Sequence, residues 1–343
     1  ITPPKNTDGF CQSVGEKKRI NWLDTSRGIA FLMVIYSHLE YSNDIIMRYF
    51  SPVFLTTFFF VSGYLFKEKC SFKVVFEQRT RTLLIPFIVF GIIMILLNQI
   101  LTFNEKISFV ESLKGLFSQN GKNQILWFIA ALYVYSILFY WVERLASNPY
   151  SLVVISFVLF VMNKFAELAG VPNIPWHIHS FGYACFYMGL GKFYKEKQAS
   201  IDKFIDKKIV VLIMLVFYVL LITIFDMHIS FKGGKFVLDA LFITLSGLIV
   251  LLYISKHILK NSKLLLFVGA NTLFYFAFHG KVYSLLQTIC HKFITNDVLS
   301  ISGLTDIIAF GIVLLDALIL IIPAYVLNRY GSFLIGKGYK LWK

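Results

Sequence analysis

The stretch that decides the fold is residues 21–41, NWLDTSRGIAFLMVIYSHLEY, an apolar run interrupted by Asp24, Arg27 and His38. A helix needs about 20 mostly apolar residues to cross the roughly 30 Å of hydrocarbon in a bilayer. Similar runs follow along the chain, and 57% of the 343 residues are hydrophobic while only 15% are charged. Soluble domains carry about 25% charged residues. The composition therefore excludes an ordinary soluble fold.

The apolar runs predict helices, because they show no ten-residue alternation and because lipid leaves no partner for unpaired backbone groups. The predicted fold class is an all-α integral membrane protein, a bundle of about ten transmembrane helices. The expected spans lie near residues 23–41, 50–66, 82–103, 124–142, 150–169, 178–194, 209–226, 236–255, 264–287 and 304–328. They form one transmembrane domain over residues 23–328.

Basic residues indicate the orientation of this bundle. Of those outside the runs, 23 fall on one side and 8 on the other, and lysine and arginine accumulate on the cytoplasmic side of membrane proteins. Residues 1–22 and 329–343 are therefore expected to be cytoplasmic segments. The first run lacks a small-residue cleavage site, so we expect it to remain a membrane helix rather than a signal peptide. The net charge of +14 then needs no nucleic-acid partner.

Arg27 and His38 are the first candidates for chemistry, because an ionisable group inside a span is costly and needs a partner or a function. Eleven residues of helix amount to three turns plus about 20°, or roughly 16 Å of rise, so both side chains would share one face. Arg27 at the cytoplasmic boundary could bind phosphate. Alternatively, Arg27 pairs with Asp24 at the boundary, and His38 is a hydrogen-bonded residue of the bundle.

His279 is a possible second polar site. It comes 16 residues after Lys263, as His38 comes 16 residues after Trp22, and equal rise along two helices puts both imidazoles at a similar depth. The two rings could share a polar cavity. A hydrogen bond between helices is the alternative.

Two further clusters border the predicted spans. Basic residues after the second run suit the phosphates of a cofactor, with Arg79 and Arg81 closest to the bundle, although they could instead determine topology or contact anionic lipid. The other cluster is VPNIPWHIHSFGY (171–183), where Trp176, His177 and His179 could bind a sugar or could be ordinary interfacial residues.

The sequence gives no sign of a metal site or of a disulfide. The cysteines form no CxxC and no metal-ligand pattern with the histidines, and His177 and His179 have no evident third ligand.

Several of these segments together are similar to the bacterial membrane-bound acyltransferase 3 family, in particular to small members that resemble glycan O-acetyltransferases. The matching segments are LDTSRGIAFLMVIYSH, FFFVSGYLF, RTRTLLIPF, WFIAALYVYS, IPWHIHSFGYACFYMGLGKFYK and NTLFYFAFH. They cover nearly the whole chain in order. Family members often carry two arginines separated by two residues before the third helix, whereas one residue separates Arg79 and Arg81.

The resemblance implies a ten-helix enzyme of the inner (cytoplasmic) cell membrane that moves an acyl group, with acetyl expected, from cytoplasmic acetyl-CoA to a hydroxyl of a cell-surface or lipid-linked glycan. The family's functional arginine and histidine match Arg27 and His38, and Arg79 and Arg81 would help to bind CoA. The expected partners are acyl-CoA, the glycan acceptor and the lipid bilayer. The alternative is a transporter or flippase for a lipid-linked glycan or small solute, with Arg27, His38 and His279 along its path.

Overall fold

The computed structural model describes residues 19–67, 70–101, 108–118, 126–172, 174–225, 237–293 and 302–335. Every regular element in these ranges is helical, which confirms the all-helical class. The predicted terminal segments 1–22 and 329–343 lie mostly outside the described residues, as do Lys69, Asp226 and His228. The side of the membrane on which each segment lies stays a prediction.

The α-helices follow one another with short connections. In chain order they are α1 (Asn21–Ser37), α2 (Asp44–Phe50), α3 (Phe54–Tyr64), α4 (Phe72–Arg79), α5 (Ile85–Leu101), α6 (Phe109–Ser118), α7 (Trp127–Leu145), α8 (Pro149–Leu168), α9 (Phe181–Ile205), α10 (Lys208–Phe225), α11 (Val237–Tyr253), α12 (Lys263–Ala270), α13 (Thr272–Phe293), α14 (Ser302–Ile319) and α15 (Ile321–Tyr330). Short 3-10 helices occupy Pro175–Ser180 and Ser332–Ile335, and π-helical turns occupy Thr80–Leu84 and Ile254–Ile258.

Six helical segments of the described chain are long and apolar enough to cross a membrane. They are Asp44–Tyr64, Phe72–Ile100, Trp127–Leu145, Pro149–Leu168, Leu241–Ile258 and Gly303–Tyr330. A seventh is obtained if Pro175–Ile205 and Lys208–Ile224, bent by 91° at their junction, form one broken span. The protein is thus consistent with a multi-pass membrane protein, and the count of about ten spans stays a prediction.

The chain forms two compact units. Unit 1 contains residues 62–196 with the described residues of both chain ends, and unit 2 contains residues 21–61 and 197–326. The single transmembrane domain over residues 23–328 stays a prediction. Each unit is described by itself below.

The first helix is shorter than predicted, because it ends at Ser37 instead of residue 41. The Ser37 hydroxyl donates to the Val34 carbonyl, with 2.7 Å between the oxygens, and the backbone N–H of Asn43 donates to the Tyr36 hydroxyl at 2.9 Å. These bonds satisfy groups that a continuing helix would have paired. His38 therefore lies in the turn that follows α1 instead of within the span.

Arg79 and Arg81 lie in a helix, whereas the sequence suggested a loop. The chain is helical from Phe72 to Leu101, and the π-helical turn Thr80–Leu84 joins α4 to α5. A π turn holds one residue more than an α turn and often occurs at a functional site. The sequence prediction missed this segment because the two arginines interrupt the apolar pattern.

The predicted span 264–287 is broken at Asn271, between α12 and α13. The Asn271 side-chain amide donates to the Phe267 carbonyl at 2.8 Å. This bond satisfies one of the carbonyls that the end of α12 leaves without a helical partner. The polar group that interrupts the apolar run thus also stabilises the break.

In unit 2, α1 packs unusually closely against α12. A Cβ on Gly28 would stand 2.3 Å from the backbone oxygen of Leu265, and a Cβ on Gly269 would stand 1.7 Å from that of Asp24. Small residues that let two backbones approach are typical of helix pairs in membranes, where van der Waals packing drives association. The two glycines thus fix the position of α1 beside α12.

In unit 1, α8 packs against α9 through a backbone contact and aromatic rings. The backbone N–H of Gly182 donates to the Asn163 side-chain oxygen at 2.8 Å, and the ring of Phe160 lies 5.0 Å from that of Tyr183. The start of α8 is set by Asn148, whose side chain accepts from the backbone N–H of Ser151. In return, the Ser151 hydroxyl accepts from the backbone N–H of Asn148. This reciprocal cap explains why α8 begins at residue 149.

Cys70 is disulfide-bonded, while Cys185 and Cys290 are free thiols. The expectation that none of the cysteines forms a disulfide is therefore wrong. Sequence spacing cannot give disulfide connectivity, because pairing depends on which cysteines the fold brings together.

The contact between α1 and α12 generates the first prediction. We expect Gly269→Ala to lower the free energy of unfolding by about 1–3 kcal/mol, because the added methyl group overlaps the Asp24 carbonyl. Gly311→Ala is the matched control, since a Cβ there has nothing within 4 Å. It should be neutral or stabilising, because alanine is the better helix former. Thermal unfolding of the detergent-solubilised variants measures both. Equal midpoints for the two variants would contradict the close contact.

Candidate functional site

The candidate site in unit 2 is a pair of imidazoles. His38, in the turn after α1, and His279, in α13, have ring centroids 5.4 Å apart. His38 is exposed, whereas His279 has an exposed fraction of only 1%. The pair therefore runs from an accessible position into the interior, and a reactant that reaches His38 also comes close to His279.

The hydrogen bond of His279 fixes its tautomer. Its Nδ1 lies 2.9 Å from the backbone oxygen of Tyr275, and because a carbonyl can only accept, Nδ1 must carry the proton. In the neutral ring, Nε2 then keeps its lone pair. Among the described residues Nε2 has no hydrogen-bond partner. His279 thus offers a buried acceptor whose orientation is set by its own helix.

Aromatic rings hold the two imidazoles. The edge of the Phe31 ring meets His279 at 5.3 Å and 85°, and Tyr283 lies parallel to His38 with centroids 6.2 Å apart. Phe31 is fully buried in α1, so the packing of α1 on its neighbours also positions His279. Such rings exclude water from one side of the pair while leaving His38 open on the other.

Arg27 lies in α1, the helix that precedes the turn of His38, and it forms an ion pair. Its guanidinium contacts the Asp24 carboxylate one turn away in an ion pair. The Arg27 side chain is one-quarter exposed and that of Asp24 is almost fully buried. The pairing that the sequence left as an alternative is therefore present. It also means that removal of Arg27 would leave a buried carboxylate without this partner.

Arg79 and Arg81 belong to unit 1, and their joint use with Arg27 stays a prediction. Arg79 lies over the face of the Phe66 ring, with its guanidinium carbon 5.5 Å from the ring centre. Arg81 lies inside the π turn. A guanidinium stacked on an aromatic ring keeps its N–H edge free in plane for an anion, so the contact is compatible with phosphate binding.

Trp176, His177 and His179 form one turn of unit 1, before α9. Trp176 and His177 have φ values of 59° and 51°, in the left-handed region. This conformation costs about 1–3 kcal/mol per residue and persists only where neighbouring groups enforce it. Three bonds enforce it here. The Trp176 indole donates to the Phe117 carbonyl at 2.8 Å, the Tyr135 hydroxyl to the His177 carbonyl at 2.6 Å, and the backbone N–H of Ile174 to Nδ1 of His179 at 3.1 Å.

These three hydrogen bonds thus stabilise the conformation of the turn. The His177 ring packs on Trp127 with centroids 4.3 Å apart, which stiffens the turn further. The aromatic faces can still contact a ligand, and a role in acceptor binding stays a prediction.

Sequence reasoning left Asp316 without a role, and the structure makes it conspicuous. Its side chain is fully buried in α14, and neither carboxylate oxygen has a hydrogen-bond partner among the described residues. It interacts electrostatically with the phenols of Tyr275 and Tyr283, one turn before and one turn after His279. In the sequence, Asp316 stands alone among leucines, which does not indicate a role. The residues with which it interacts belong to α13.

Unit 1 holds a cavity of about 400 Å³ that the sequence did not indicate. It is lined by both acidic and basic groups, and the buried Lys192 amine lies 3.3 Å from Glu143 and 3.8 Å from Glu196. Because the carboxylates offset the nearby cations, this cavity is a poor match for a polyphosphate. No group of three or more potential metal ligands occurs in the described parts of either unit.

Comparison with known proteins gives a family match over most of the chain. The model of an acyltransferase domain family, acyltransferase 3, matches residues 20–326. Neither a curated protein nor a solved structure matches the chain. The matched range contains both histidines, Arg27 and the arginines of the π turn.

Proposed function

This chain belongs to the acyltransferase 3 family, and on that premise we propose that it is an O-acetyltransferase of the inner (cytoplasmic) cell membrane. It moves an acetyl group from cytoplasmic acetyl-CoA to a hydroxyl of a cell-surface or lipid-linked glycan. The observation that carries the proposal is the histidine pair, in which an exposed imidazole adjoins a buried one whose tautomer is fixed.

The pair suits acyl transfer because the reaction needs a base for the attacking hydroxyl. His38 takes the hydroxyl proton, the oxygen attacks the thioester carbonyl, and the C–S bond breaks. The proton then passes from His38 to the CoA thiolate, so that the products are an acetyl ester and CoA. Histidine serves this role because its ordinary pKa lies near working pH.

A two-step route uses the same residues. His38 first attacks the thioester, the C–S bond breaks, and the proton of the imidazole passes to the CoA thiolate, which leaves an acetyl-imidazole. The acceptor hydroxyl then attacks the acetyl carbon, the bond from that carbon to the imidazole nitrogen breaks, and the hydroxyl proton returns to His38. In the second step of this route, Nε2 of His279 accepts a hydrogen bond from the acceptor hydroxyl and orients it.

The donor enters from the opposite end of α1. Arg27 binds a phosphate of CoA, and the pantetheine arm carries the thioester toward His38. Within unit 1, the part of Arg79 and Arg81 in CoA binding stays a prediction. From Arg27 to the end of α1 at Ser37 the helix rises by roughly 15 Å. The Arg27–Asp24 ion pair holds the guanidinium at the helix edge.

A transporter is the rival class, and donor chemistry separates the two. An acetyltransferase binds CoA and hydrolyses acetyl-CoA slowly in the absence of an acceptor, whereas a carrier does neither. CoA-dependent thermal stabilisation and release of free thiol from acetyl-CoA, measured on the purified protein, distinguish them.

The histidine pair generates the second prediction. We expect His38→Ala to lower kcat for acetyl transfer by about 10²–10⁴, the usual contribution of a general base. His279→Gln should retain more activity than His279→Ala, because the glutamine amide places a polar group near the position of Nε2.

His257→Ala is the matched control, since His257 is half-exposed and pairs only with Asp206 among the residues described. Its activity should equal that of the wild type. Full transfer by correctly inserted His38→Ala protein would refute the assignment.

Arg27 generates the third prediction. We expect Arg27→Lys to raise KM for acetyl-CoA by about tenfold or more, because lysine keeps the charge beside Asp24 but loses the planar fork that binds phosphate. The lysine variant avoids leaving the Asp24 carboxylate buried without a cation. A KM that stays unchanged while thermal stability falls would show that Arg27 serves the ion pair alone.

The orientation generates the fourth prediction. A disulfide at Cys70 is unusual for a cytoplasmic segment, so the predicted orientation needs a test of its own. If the Lys263 end of the broken segment formed by α12 and α13 is cytoplasmic, Cys290 near its other end faces outward. A membrane-impermeant maleimide should then label Cys290 on intact spheroplasts, and Cys290→Ser should lose that label. Labelling of Cys290 only after permeabilisation would invert the orientation.

A further inference from the structure

A row of polar residues runs along α13 beyond the histidine pair. Tyr275, His279, Tyr283, Gln287 and His291 follow at intervals of four residues, so each lies about 6 Å further along the helix and only about 40° around it. The first two are buried, Tyr283 is partly exposed, and His291 is exposed. The row therefore leads from the interior at His279 to the surface at His291.

Gln287 is the unexpected member of this row. Its exposed fraction is 5%, although Leu285 and Ile289 on either side are exposed to 61% and 45%. The polar side chain of Gln287 is therefore buried, whereas the apolar side chains of Leu285 and Ile289 are exposed. The Gln287 amide nitrogen has no hydrogen-bond partner among the described residues, and a buried polar group left in that state costs about 1–3 kcal/mol.

Tyr41 presents a second group of this kind from the turn after α1. Its hydroxyl is buried and lacks a hydrogen-bond partner in the part of the chain that the structure describes. Its ring lies 5.3 Å from that of His291, one helical turn beyond Gln287. The turn that carries His38 therefore also places a phenol at the far end of the row.

A carboxylate lies at this end of the row, since an oxygen of Glu40 is 3.1 Å from Nε2 of His291. An anionic ligand beside His291 would meet this carboxylate. Gln287 and Tyr41 instead offer neutral donors and acceptors, and the rings of Tyr283 and His38 offer flat apolar faces, the combination that suits a hydroxyl-rich ring.

We propose that Gln287 and Tyr41 form a subsite for a neutral polyhydroxyl group, a sugar ring of the acceptor, that presents a hydroxyl to the histidine pair. His279 and Gln287 are eight residues apart, about 12 Å along the axis, a distance that a sugar ring with its substituents can span. The inference rests on the proposed function and deepens it. It places the acceptor at α13 instead of at Trp176, His177 and His179.

The test compares glycan acetylation with donor turnover in the same variants. Gln287→Leu removes the amide at similar size, and Tyr41→Phe removes a single oxygen. Thr288→Val is the matched control, because Thr288 is the next residue, is exposed, and donates its hydroxyl only to Ser284 of its own helix among the described residues. Trp176→Phe tests the competing site in unit 1.

Two quantities are measured for each variant. One is the O-acetyl content of surface glycans, determined by mass spectrometry from cells that express the variant in place of the wild type. The other is the rate at which the purified protein hydrolyses acetyl-CoA without acceptor. We expect Gln287→Leu and Tyr41→Phe each to lower the ratio of acetylation to hydrolysis by about tenfold, as the loss of one hydrogen bond in the transition state would. Thr288→Val should keep the wild-type ratio.

Each other outcome overturns a defined claim. If the ratio is unchanged in both Gln287→Leu and Tyr41→Phe, or falls only in Trp176→Phe, the α13 subsite is wrong while the proposed function stands. If acetylation and hydrolysis fall together, the two residues support the histidine pair and do not bind the acceptor. If the wild type neither hydrolyses acetyl-CoA nor is stabilised by CoA, the proposed function fails and the subsite fails with it.

Discussion

The close approach of α1 to α12 is the constraint on which the candidate site depends. At Gly28 and Gly269 the two backbones leave no space for a side chain, so the position of α1 is set by backbone contact and not by adaptable side chains. Phe31 on α1 then packs against His279, and the turn after α1 brings His38 beside it. A rigid helix pair of this kind can hold two imidazoles in a constant relation while substrates pass. The proposed transfer would need such precision from its base.

The number of residues between the basic end of a run and its histidine predicted more of this site than any sequence motif did. Equal rise from the basic ends of two runs placed His38 and His279 at one depth, and the structure puts their rings side by side. The end of α1, by contrast, depends on the Asn43–Tyr36 hydrogen bond, which no local pattern shows. Gln287 and Asp316 were invisible for a related reason. Whether a polar residue on an apolar helix faces lipid or protein depends on the neighbouring helix, and a single run of sequence does not name that neighbour.

Buried charges in both units are balanced close to where they occur. Asp24 offsets Arg27, Glu143 and Glu196 offset Lys192, and Asp202 with Asp206 offset Lys256. Compensation of this kind reduces the cost of placing ions among apolar helices. The side chain of Asp316 is buried as well, and it lacks a close hydrogen-bond partner among the described residues. A buried carboxyl group one helix away from the histidine pair gives that region a polarity that the surrounding rings do not have.

The π turn at Thr80–Leu84 has a consequence for how sequences of this kind are aligned. A widened turn accommodates an additional residue without displacing the helix on either side, so the interval between two arginines in the sequence no longer converts into an angle at 100° per residue. Two proteins can then present guanidinium groups in the same direction although one residue separates the arginines in one chain and two in the other. Insertions and deletions concentrate at such turns, because the turn accommodates one residue more or fewer. In a regular helix the same change would rotate and shift all the residues that follow.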